Sequence, residues 1–457
     1  MAQGAVKGMG NAMPGPMRIG GGAGFAGDRV DPAVALVEHG ALDYVVLECL
    51  AERTIALAQQ ERRRDPALGY GVSLDARMAA LLPVAAKTGC RIVTNLGAAN
   101  PSAAAQRIAV VARAQGHSIT VAALLGDDVL DLVRDGQGEP TLPPEIMARL
   151  VSANAYLGAR ELRRAVATGA DVVISGRVTD SALFLAPAAH HFGWPETDWD
   201  LQARGIVLGH LLECAGQITG GYYMDAGLKA VPEPARLGFP LAEVSPDGSF
   251  TVTKLPGTGG AVTLPIVIEQ LFYEIGNPAA YLTPDVTANF TAVALAQPAP
   301  DRVHVTGARG TPPPDSYKVV ACYDHGFIGE GEISYAGTGA AERARLAGEI
   351  VRERLRLTGV PCQRLRLDLL GINALHGDLA PAGRPYEVRL RVAASTESEG
   401  AAAAVGDEVE ALLTNGPAGG GGARRHVRPV LGVAATFLRK ALLADRIRVI
   451  EVSADGR

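Results

Sequence analysis

The chain has 457 residues, 48% hydrophobic and 20% charged, which predicts a globular protein of more than one domain and excludes a disordered one. Its formal net charge is −5 without a basic stripe, which argues against nucleic-acid binding. The five cysteines form no CxxC pair, and no stretch reaches the roughly 18–20 apolar residues of a membrane span, so we expect a cytoplasmic protein that binds no membrane.

Short apolar strands alternate with helices in the N-terminal half of the sequence. The runs are rich in β-branched residues and several end at glycine, which is typical of parallel strands covered on both faces. The fold class predicted here is therefore α/β, with a parallel sheet that has helices on both faces. The predicted strands are 17–20, 42–47, 91–94, 118–125 and 171–175, and the predicted helices are 31–38, 102–115 and 160–168.

The second half of the sequence has a different character. Residues 222–290 are rich in glycine, proline and aromatic residues and are interpreted as a connecting region with short strands. Beyond it, strand candidates at 303–307, 317–323, 365–373, 386–394 and 446–452 and helices near 340–357 and 400–414 predict a smaller α+β domain. The predicted organisation is a flexible leader at 1–17, an α/β domain at 18–221, the connecting region, and the α+β domain at 291–457.

A glycine-rich loop joins the first strand to the first helix. Gly22, Gly24 and Gly27 have the spacing of a dinucleotide-binding loop, in which backbone N–H groups at a helix N-terminus hold a phosphate, and Glu48 stands where a ribose-binding acid is expected. Asp28 in the same loop would compete with a phosphate. The loop is therefore a candidate cofactor site, and another active-site role and a purely structural turn remain alternatives.

Polar residues follow several predicted strands, and in open α/β sheets ligands bind outside the carboxyl ends of the strands. Helix capping is the alternative role for such residues, above all for Asp128. Capping is a weaker explanation for Arg177, whose guanidinium could instead clamp a carboxylate or phosphate. The residues expected to line one cleft are Glu48, Asn95, Asp127, Arg177 and Asp180, with Cys49 and Asn100 nearby.

A predicted helix carries four polar residues on one face. His210, Glu213, Cys214 and Gln217 are spaced i, i+3, i+4 and i+7. A histidine beside a carboxylate can carry out general acid–base catalysis, so His210 and Glu213 are candidate catalytic residues together with Arg177 and Asp180. Further ligands at a metal-binding spacing are lacking, so no metal site is predicted. The alternative is a polar helix face packed against the next domain.

A second glycine-rich loop runs from residue 254 to 260. Lys254 and Gly259 could contact a phosphate there, although the order of a nucleoside-triphosphate loop is missing. The alternative is a turn-rich segment over buried tyrosines.

Several motifs in order along the chain resemble the acyclic terpene utilisation (AtuA) family across about residues 18–450. They are Gly-Gly-Ala-Gly-Phe-Ala-Gly-Asp-Arg (21–29), Leu-Glu-Cys-Leu-Ala-Glu-Arg-Thr (47–54), Thr-Asn-Leu-Gly-Ala-Ala-Asn-Pro (94–101), Gly-Arg-Val-Thr-Asp-Ser-Ala (176–182), Gly-His-Leu-Leu-Glu-Cys-Ala-Gly-Gln-Ile-Thr-Gly-Gly (209–221) and Tyr-Leu-Thr-Pro-Asp-Val (281–286). The resemblance implies a catabolic role in the breakdown of branched acyl-CoA compounds from acyclic terpenes. It also implies cleavage of a 3-hydroxy-3-branched glutaryl-CoA as a candidate reaction, without identifying catalytic residues.

We expect from these observations a lyase or hydratase that acts on an acyl-CoA, with coenzyme A present as part of the substrate. The alternatives are a non-catalytic subunit that binds a small partner or substrate, and a nicotinamide-dependent dehydrogenase. Longer members of the family carry an additional ferredoxin-like domain, which is not recognisable in this sequence. Either a separate small ferredoxin-like subunit supplies this domain or the protein works without it, and we expect a homo-oligomer.

Overall fold

The computed structural model describes residues 15–380, 383 and 385–455, so most of the predicted leader lies outside the described residues. In the N-terminal half, strands and helices alternate much as the sequence predicts. The elements there are β1 (Met17–Ala23), α1 (Asp31–His39), β2 (Tyr44–Leu47), α2 (Glu52–Arg64), α3 (Leu74–Thr88), β3 (Arg91–Thr94), α4 (Pro101–Ala114), β4 (Thr120–Leu125), α5 (Leu130–Arg134), α6 (Pro144–Met147), β5 (Leu150–Ala155), α7 (Ala159–Val166), β6 (Val172–Ser175), α8 (Ala182–Phe192) and α9 (Trp199–Leu212).

The second half is richer in strands. A short 3₁₀ turn at Ala215–Thr219 follows α9 and precedes them. The remaining elements are β7 (Pro240–Val244), β8 (Phe250–Lys254), α10 (Leu264–Leu271), β9 (Tyr281–Leu282), β10 (Thr287–Asn289), β11 (Ala294–Ala299), β12 (Arg302–Thr306), β13 (Arg309–Thr311), β14 (Ser316–Ala336), α11 (Ala340–Leu357), β15 (Arg364–Leu370), β16 (Glu387–Thr396), α12 (Glu399–Glu410), α13 (Leu412–Asn415), β17 (Gly421–Arg439) and β18 (Arg448–Ser453).

One large sheet organises the bigger of two compact units, whose described residues are 15–143, 151–321 and 434–455. Within its described part, ten strands lie in the order β11-β12-β8-β7-β1-β2-β3-β6-β4-β18. The five strands from β1 to β4 in this order pair in parallel, as predicted. Antiparallel strands extend the sheet on both sides, with β7 beside β1 and β18 beside β4. The sheet is therefore mixed, and the α/β class is confirmed.

The parallel centre is buried on both faces. Every residue of β2 and β6 is buried, which explains why these strands are continuous apolar runs without an alternating polar face. Helices α1, α3 and α4 pack on one face, where Leu36, Leu81 and Ile108 are fully buried in one apolar cluster. Polar side chains of this part of the sheet can therefore reach solvent or a ligand only at the ends of the strands.

The smaller unit comprises residues 144–150 and 322–433. Its sheet has the order β15-β16-β14-β17, and α11 and α12 supply the buried side chains Val351, Leu355 and Val405 to its core. The sequence of elements, β14-α11-β15-β16-α12-β17, is the ferredoxin-like β-α-β-β-α-β arrangement. The chain thus contains a ferredoxin-like unit that the sequence analysis did not recognise. The separate ferredoxin-like subunit stays a prediction.

The N-cap residue of helix α7 is Gly158, which has no side chain to accept hydrogen bonds from the first turn, and a distant aspartate takes that role. The buried Asp285 carboxylate accepts hydrogen bonds from the backbone N–H groups of Ala159 (2.8 Å) and Arg160 (3.0 Å). Asp285→Ala would leave both donors unpaired, so we expect the free energy of unfolding to fall by about 1–3 kcal/mol. Urea denaturation at pH 7 would measure the change. The exposed neighbour substitution Glu196→Gln is the control, and an equal effect from it would contradict the assignment.

Candidate active site

A cavity of about 930 Å³ lies in the larger unit at the carboxyl ends of β1 and β2. This is the edge of a parallel sheet at which ligands bind in α/β proteins. Three cationic residues line the cavity, Arg29, Arg177 and Lys318. The carboxyl groups outnumber them, and are those of Asp28, Glu48, Glu52, Asp180, Glu213 and Glu274.

Glu48 directly follows β2 and is 8% exposed. Its Oε1 accepts hydrogen bonds from the Leu50 backbone N–H (2.8 Å) and from the Asn95 side chain (2.9 Å). Burial raises the pKa of the Glu48 carboxyl to about 8, and the charge of Asp180 adds to the rise, while Arg177 and these hydrogen bonds oppose it. At neutral pH Glu48 is therefore mainly a protonated acid at the wall of the cavity.

Asp180 faces the same cavity, but its side chain keeps 40% of its surface exposed there. Burial raises its pKa to about 6, against the attraction of the Arg177 guanidinium, to which it is hydrogen-bonded. Asp180 is thus largely ionised at pH 7, whereas Glu48 is not. Two neighbouring carboxyl groups whose pKa values are pushed apart can serve as an acid and a base.

Arg177 is 1% exposed, and its guanidinium donates hydrogen bonds to neighbouring groups of the protein. It donates to the carbonyl oxygens of Leu50 and Val178 and to Asp180. The guanidinium also lies 4.6 Å from the centre of the Tyr156 ring. These contacts indicate that Arg177 compensates the carboxyl groups of the site. Its predicted role as a clamp for a substrate anion stays a prediction.

A second cation, Lys318, lies near the Tyr156 ring. The ammonium of Lys318 lies 4.9 Å from the centre of the Tyr156 ring and 3.8 Å from Glu52 Oε1. Tyr156 donates a 2.5 Å hydrogen bond to Glu52. Burial pushes the pKa of Glu52 up, but this bond and the nearby cations leave it below its ordinary value. Glu52 is therefore an anion throughout the neutral range.

The prediction of one helix over residues 209–217 is wrong, because α9 ends at Leu212 and a separate 3₁₀ turn begins at Ala215, where the backbone φ is +42°. The four polar residues therefore do not share the face of one continuous helix. Glu213, Cys214 and Gln217 line the cavity, whereas His210 is 3% exposed behind them. The ring nitrogen Nδ1 of His210 lies 3.4 Å from Glu213 Oε1. Burial raises the pKa of the Cys214 thiol, and the Glu213 charge adds to this, so the thiol stays protonated. Proton transfer by His210 stays a prediction.

The first glycine-rich loop contributes Gly24 to the cavity wall. A side chain on Gly24 would lie about 2.5 Å from the Cys214 backbone, and one on Gly22 would lie 2.8 Å from Val45 and Leu47, so both glycines permit close packing. Gly27 packs against the Phe25 ring.

The carboxylate of Asp28 occupies the backbone donors of this loop. It accepts hydrogen bonds from the N–H groups of Gly24 (2.9 Å) and Arg29 (2.8 Å). These are the kind of groups that a bound phosphate would use. A cofactor at this loop stays a prediction.

Four other predicted site residues do not line the cavity. Asn95 and Asp127 lie beneath it, where Asn95 accepts from the Cys49 backbone (2.8 Å) and Asp127 accepts from the Arg177 backbone (2.9 Å). They hold the loops that carry the lining residues. Lys254 is buried and donates to the Thr258 carbonyl (2.8 Å) beside Asp301. A side chain on Gly259 would meet the Glu233 carbonyl, so this second loop is tightly packed away from the cavity.

Capping accounts for Asn100, whose side chain accepts from Ala103 at the start of α4. Asp128 accepts weakly from the Leu130 backbone (3.4 Å) and pairs with Arg62 (3.2 Å). Capping therefore explains Asn100, whereas Asp128 is not the N-cap of α5 and is held by its ion pair with Arg62.

Glu52, Tyr156 and Lys318 line the cavity but were not identified from the sequence. Glu52 follows Glu48 by four residues in the same motif, which is a signal that could have marked it. Tyr156 directly follows β5, a strand that the sequence analysis did not predict. Lys318 comes from β14, far along the chain, and no local pattern connects it to the site.

Among the residues that the structure describes, no group of three or more His, Cys, Asp or Glu side chains is placed to hold a metal ion. No helix in the described part of the chain is both long and apolar enough to cross a membrane.

The fold and the cavity define an α/β protein with a carboxyl-lined site at the ends of its parallel strands. The chain belongs to the AtuA family: the family described as acyclic terpene utilisation family protein AtuA matches it over residues 17–449. This membership associates the chain with acyclic terpene utilisation. No curated protein and no solved structure matches the chain.

Proposed function

We propose that the protein is a lyase that moves protons on a branched acyl-CoA during acyclic terpene breakdown. The observation that carries the proposal is the pair formed by Glu48, with a pKa raised to about 8, and Asp180, with a pKa of about 6, at one cavity. Between these values one group can donate a proton while the other accepts one. Glu213, at the same cavity, is a second candidate acceptor.

Two lyase reactions use such a pair. In hydration of an unsaturated thioester, the base takes a proton from water, the oxygen bonds to the β-carbon, and the α-carbon takes a proton from the acid. In cleavage of a 3-hydroxy-3-branched glutaryl thioester, the base takes the hydroxyl proton, the adjacent carbon–carbon bond breaks, and the released carbanion takes a proton from the acid. The excess of carboxyl groups favours an uncharged reacting centre, so hydration is the first reaction to test.

The cavity walls also support this substrate class. The aromatic and apolar side chains Phe25, Tyr222 and Met224 line the cavity and can pack against a branched hydrocarbon chain. Arg29 and Lys318 are both exposed to solvent and can attract the phosphates of coenzyme A. A volume of about 930 Å³ lies in the range of small-molecule sites.

Isotope exchange in D₂O tests the proposal directly. The purified protein is incubated separately with a branched 2-enoyl-CoA, with its 3-hydroxy counterpart, and with a 3-hydroxy-3-branched glutaryl-CoA. Mass spectrometry then measures the incorporation of deuterium, the gain or loss of water by the thioester, and the release of acetate. We expect deuterium at the α-carbon, with interconversion of the first pair or release of acetate from the third compound. Asp180→Asn should slow this at least about 10²-fold, because its amide cannot act as a base.

The surface substitution Asp31→Asn is the matched control and should leave the rate unchanged. Native mass spectrometry of the same mixtures reports binding separately from turnover. Stoichiometric binding without exchange or product from any of the three compounds would contradict the proposal and favour a non-catalytic binding subunit.

A further inference from the structure

The buried ring of His210 has one satisfied and one unsatisfied nitrogen. Nε2 lies 3.0 Å from the Gln270 carbonyl oxygen and 3.3 Å from that of Leu271. Because carbonyl oxygens only accept hydrogen bonds, Nε2 carries a hydrogen. Nδ1 is therefore the ring nitrogen that is left free, and it is buried without a hydrogen-bond partner in the described residues.

Glu213 is the group that Nδ1 faces. Its Oε1 lies 3.4 Å away, which is within reach of an ion pair but longer than a hydrogen bond of about 2.7–3.2 Å. An unpaired buried nitrogen is costly, and a small rotation of the Glu213 side chain toward it would close the bond. Glu213 also lines the cavity with 15% of its side-chain surface exposed. One side chain can thus reach both the cavity and the buried ring.

Glu213 is in ion-pair range of the ring, and two aromatic side chains lie beside the ring. Tyr281 and Phe290 pack near the ring, with ring centres 6.1 and 5.5 Å from it. The α10 side contributes the neutral carbonyl groups described above. Burial raises the pKa of Tyr281, and the charges of Glu213, Asp180 and Glu274 add to the rise, so the carboxyl groups of the cavity also act on this neighbour of the ring.

We propose that His210 is a positioning residue that stores a proton for Glu213, an inference that rests on the proposed function. A proton taken up by the Glu213 carboxylate at the cavity passes to Nδ1 of His210, which leaves a carboxylate and an imidazolium. The reverse transfer returns the proton to the cavity. The hydrogen bond from Nε2 to the Gln270 carbonyl keeps the ring oriented in both states.

Nitrogen NMR of the protein with ¹⁵N-labelled histidine tests the pair without any substrate. The spectrum of His210→Gln identifies the His210 signals. Over a pH series we expect Nε2 to stay protonated, and Nδ1 to lose its proton at lower pH in Glu213→Gln than in the wild type. A Nδ1 signal that Glu213→Gln does not move, or an unprotonated Nε2, would overturn the proposal, whatever the protein's reaction.

The exchange assay supplies the second readout. We expect His210→Gln to lower kcat by about 10²-fold with little change in KM, and to change the pH dependence of kcat. The exposed histidine substitution His39→Gln is the matched control. A purely structural role predicts a lower Tm with an unchanged pH profile, and that result would also overturn the proposal. If the wild type shows no exchange while the NMR result holds, the proposed reaction fails and the proton pair stands.

Discussion

Glu48→Gln is expected to lower kcat/KM by about 10²–10⁴-fold, because glutamine keeps the size of the side chain but cannot donate a proton. The wild-type rate should depend on pH in a bell shape. It should fall below about pH 6 as Asp180 is protonated and above about pH 8 as Glu48 loses its proton. Kinetics of the exchange reaction between pH 5 and 9 would be measured on both proteins. Glu48→Gln should show the lower kcat/KM, and its rate should not fall above about pH 8 as the wild-type rate does.

The thermal stability of Glu48→Gln distinguishes a loss of catalysis from a loss of folded protein. The pKa of Glu48 is raised in the folded chain to about 8. Between the ordinary pKa of a glutamic acid and this raised value, the folded chain keeps the Glu48 proton whereas the unfolded chain has released it. The wild type therefore loses stability as pH rises toward 8, and the glutamine variant does not. We expect its Tm at pH 8 to equal or exceed that of the wild type. Glu38→Gln on α1 is the control, and full activity of Glu48→Gln would contradict its assignment.

Arg177→Met is expected to lower the free energy of unfolding by about 3–5 kcal/mol, the cost of removing one partner from a buried set of charges. The substitution removes the cation beside Glu48 and Asp180 and the donors to the Leu50 and Val178 carbonyl groups. Arg177→Lys keeps the charge but not the planar fork, so we expect a smaller loss. Urea denaturation at pH 7 would measure both.

The exposed Arg160→Met provides a matched control, with an expected change within about 0.5 kcal/mol. The alternative role of Arg177, a clamp for a substrate carboxylate, gives a different pattern. It predicts nearly unchanged stability in Arg177→Lys and a large rise in KM. That pattern would contradict the structural role and support the role predicted from the sequence.

The sequence predicts the parallel centre of the sheet because its signal is local. The apolar, β-branched pair Ile92-Val93 is flanked by the polar residues Arg91 and Thr94, and the predicted strand 91–94 has these limits in the structure. The partners of the outer strands carry no such signal. Residues 446–452 are predicted as a strand of the C-terminal domain, yet β18 pairs with β4 in the large sheet. The pairing depends on contacts between segments that are far apart in sequence.

The same distinction applies to the site. Glu48 and Asp180 follow buried strands, and the topology of a parallel sheet brings such positions to one edge, so their place in a cleft was predictable. Asn95 follows a strand equally closely, but it lies beneath the cavity because its side chain satisfies Glu48 and the Cys49 backbone. Sequence spacing identifies the edge of the sheet. It does not distinguish a lining side chain from one that supports it.

The position of β18 has a consequence for the order in which the protein forms during synthesis. The strand that covers the outer edge of β4 comes from residues 448–453 and leaves the ribosome after the whole of the smaller unit. Until then β4 presents an unpaired edge, which is a template for aggregation. The stretch 322–433 is contiguous and is synthesised in full before β18. During synthesis the edge of β4 therefore stays unpaired over more than 300 residues of further chain.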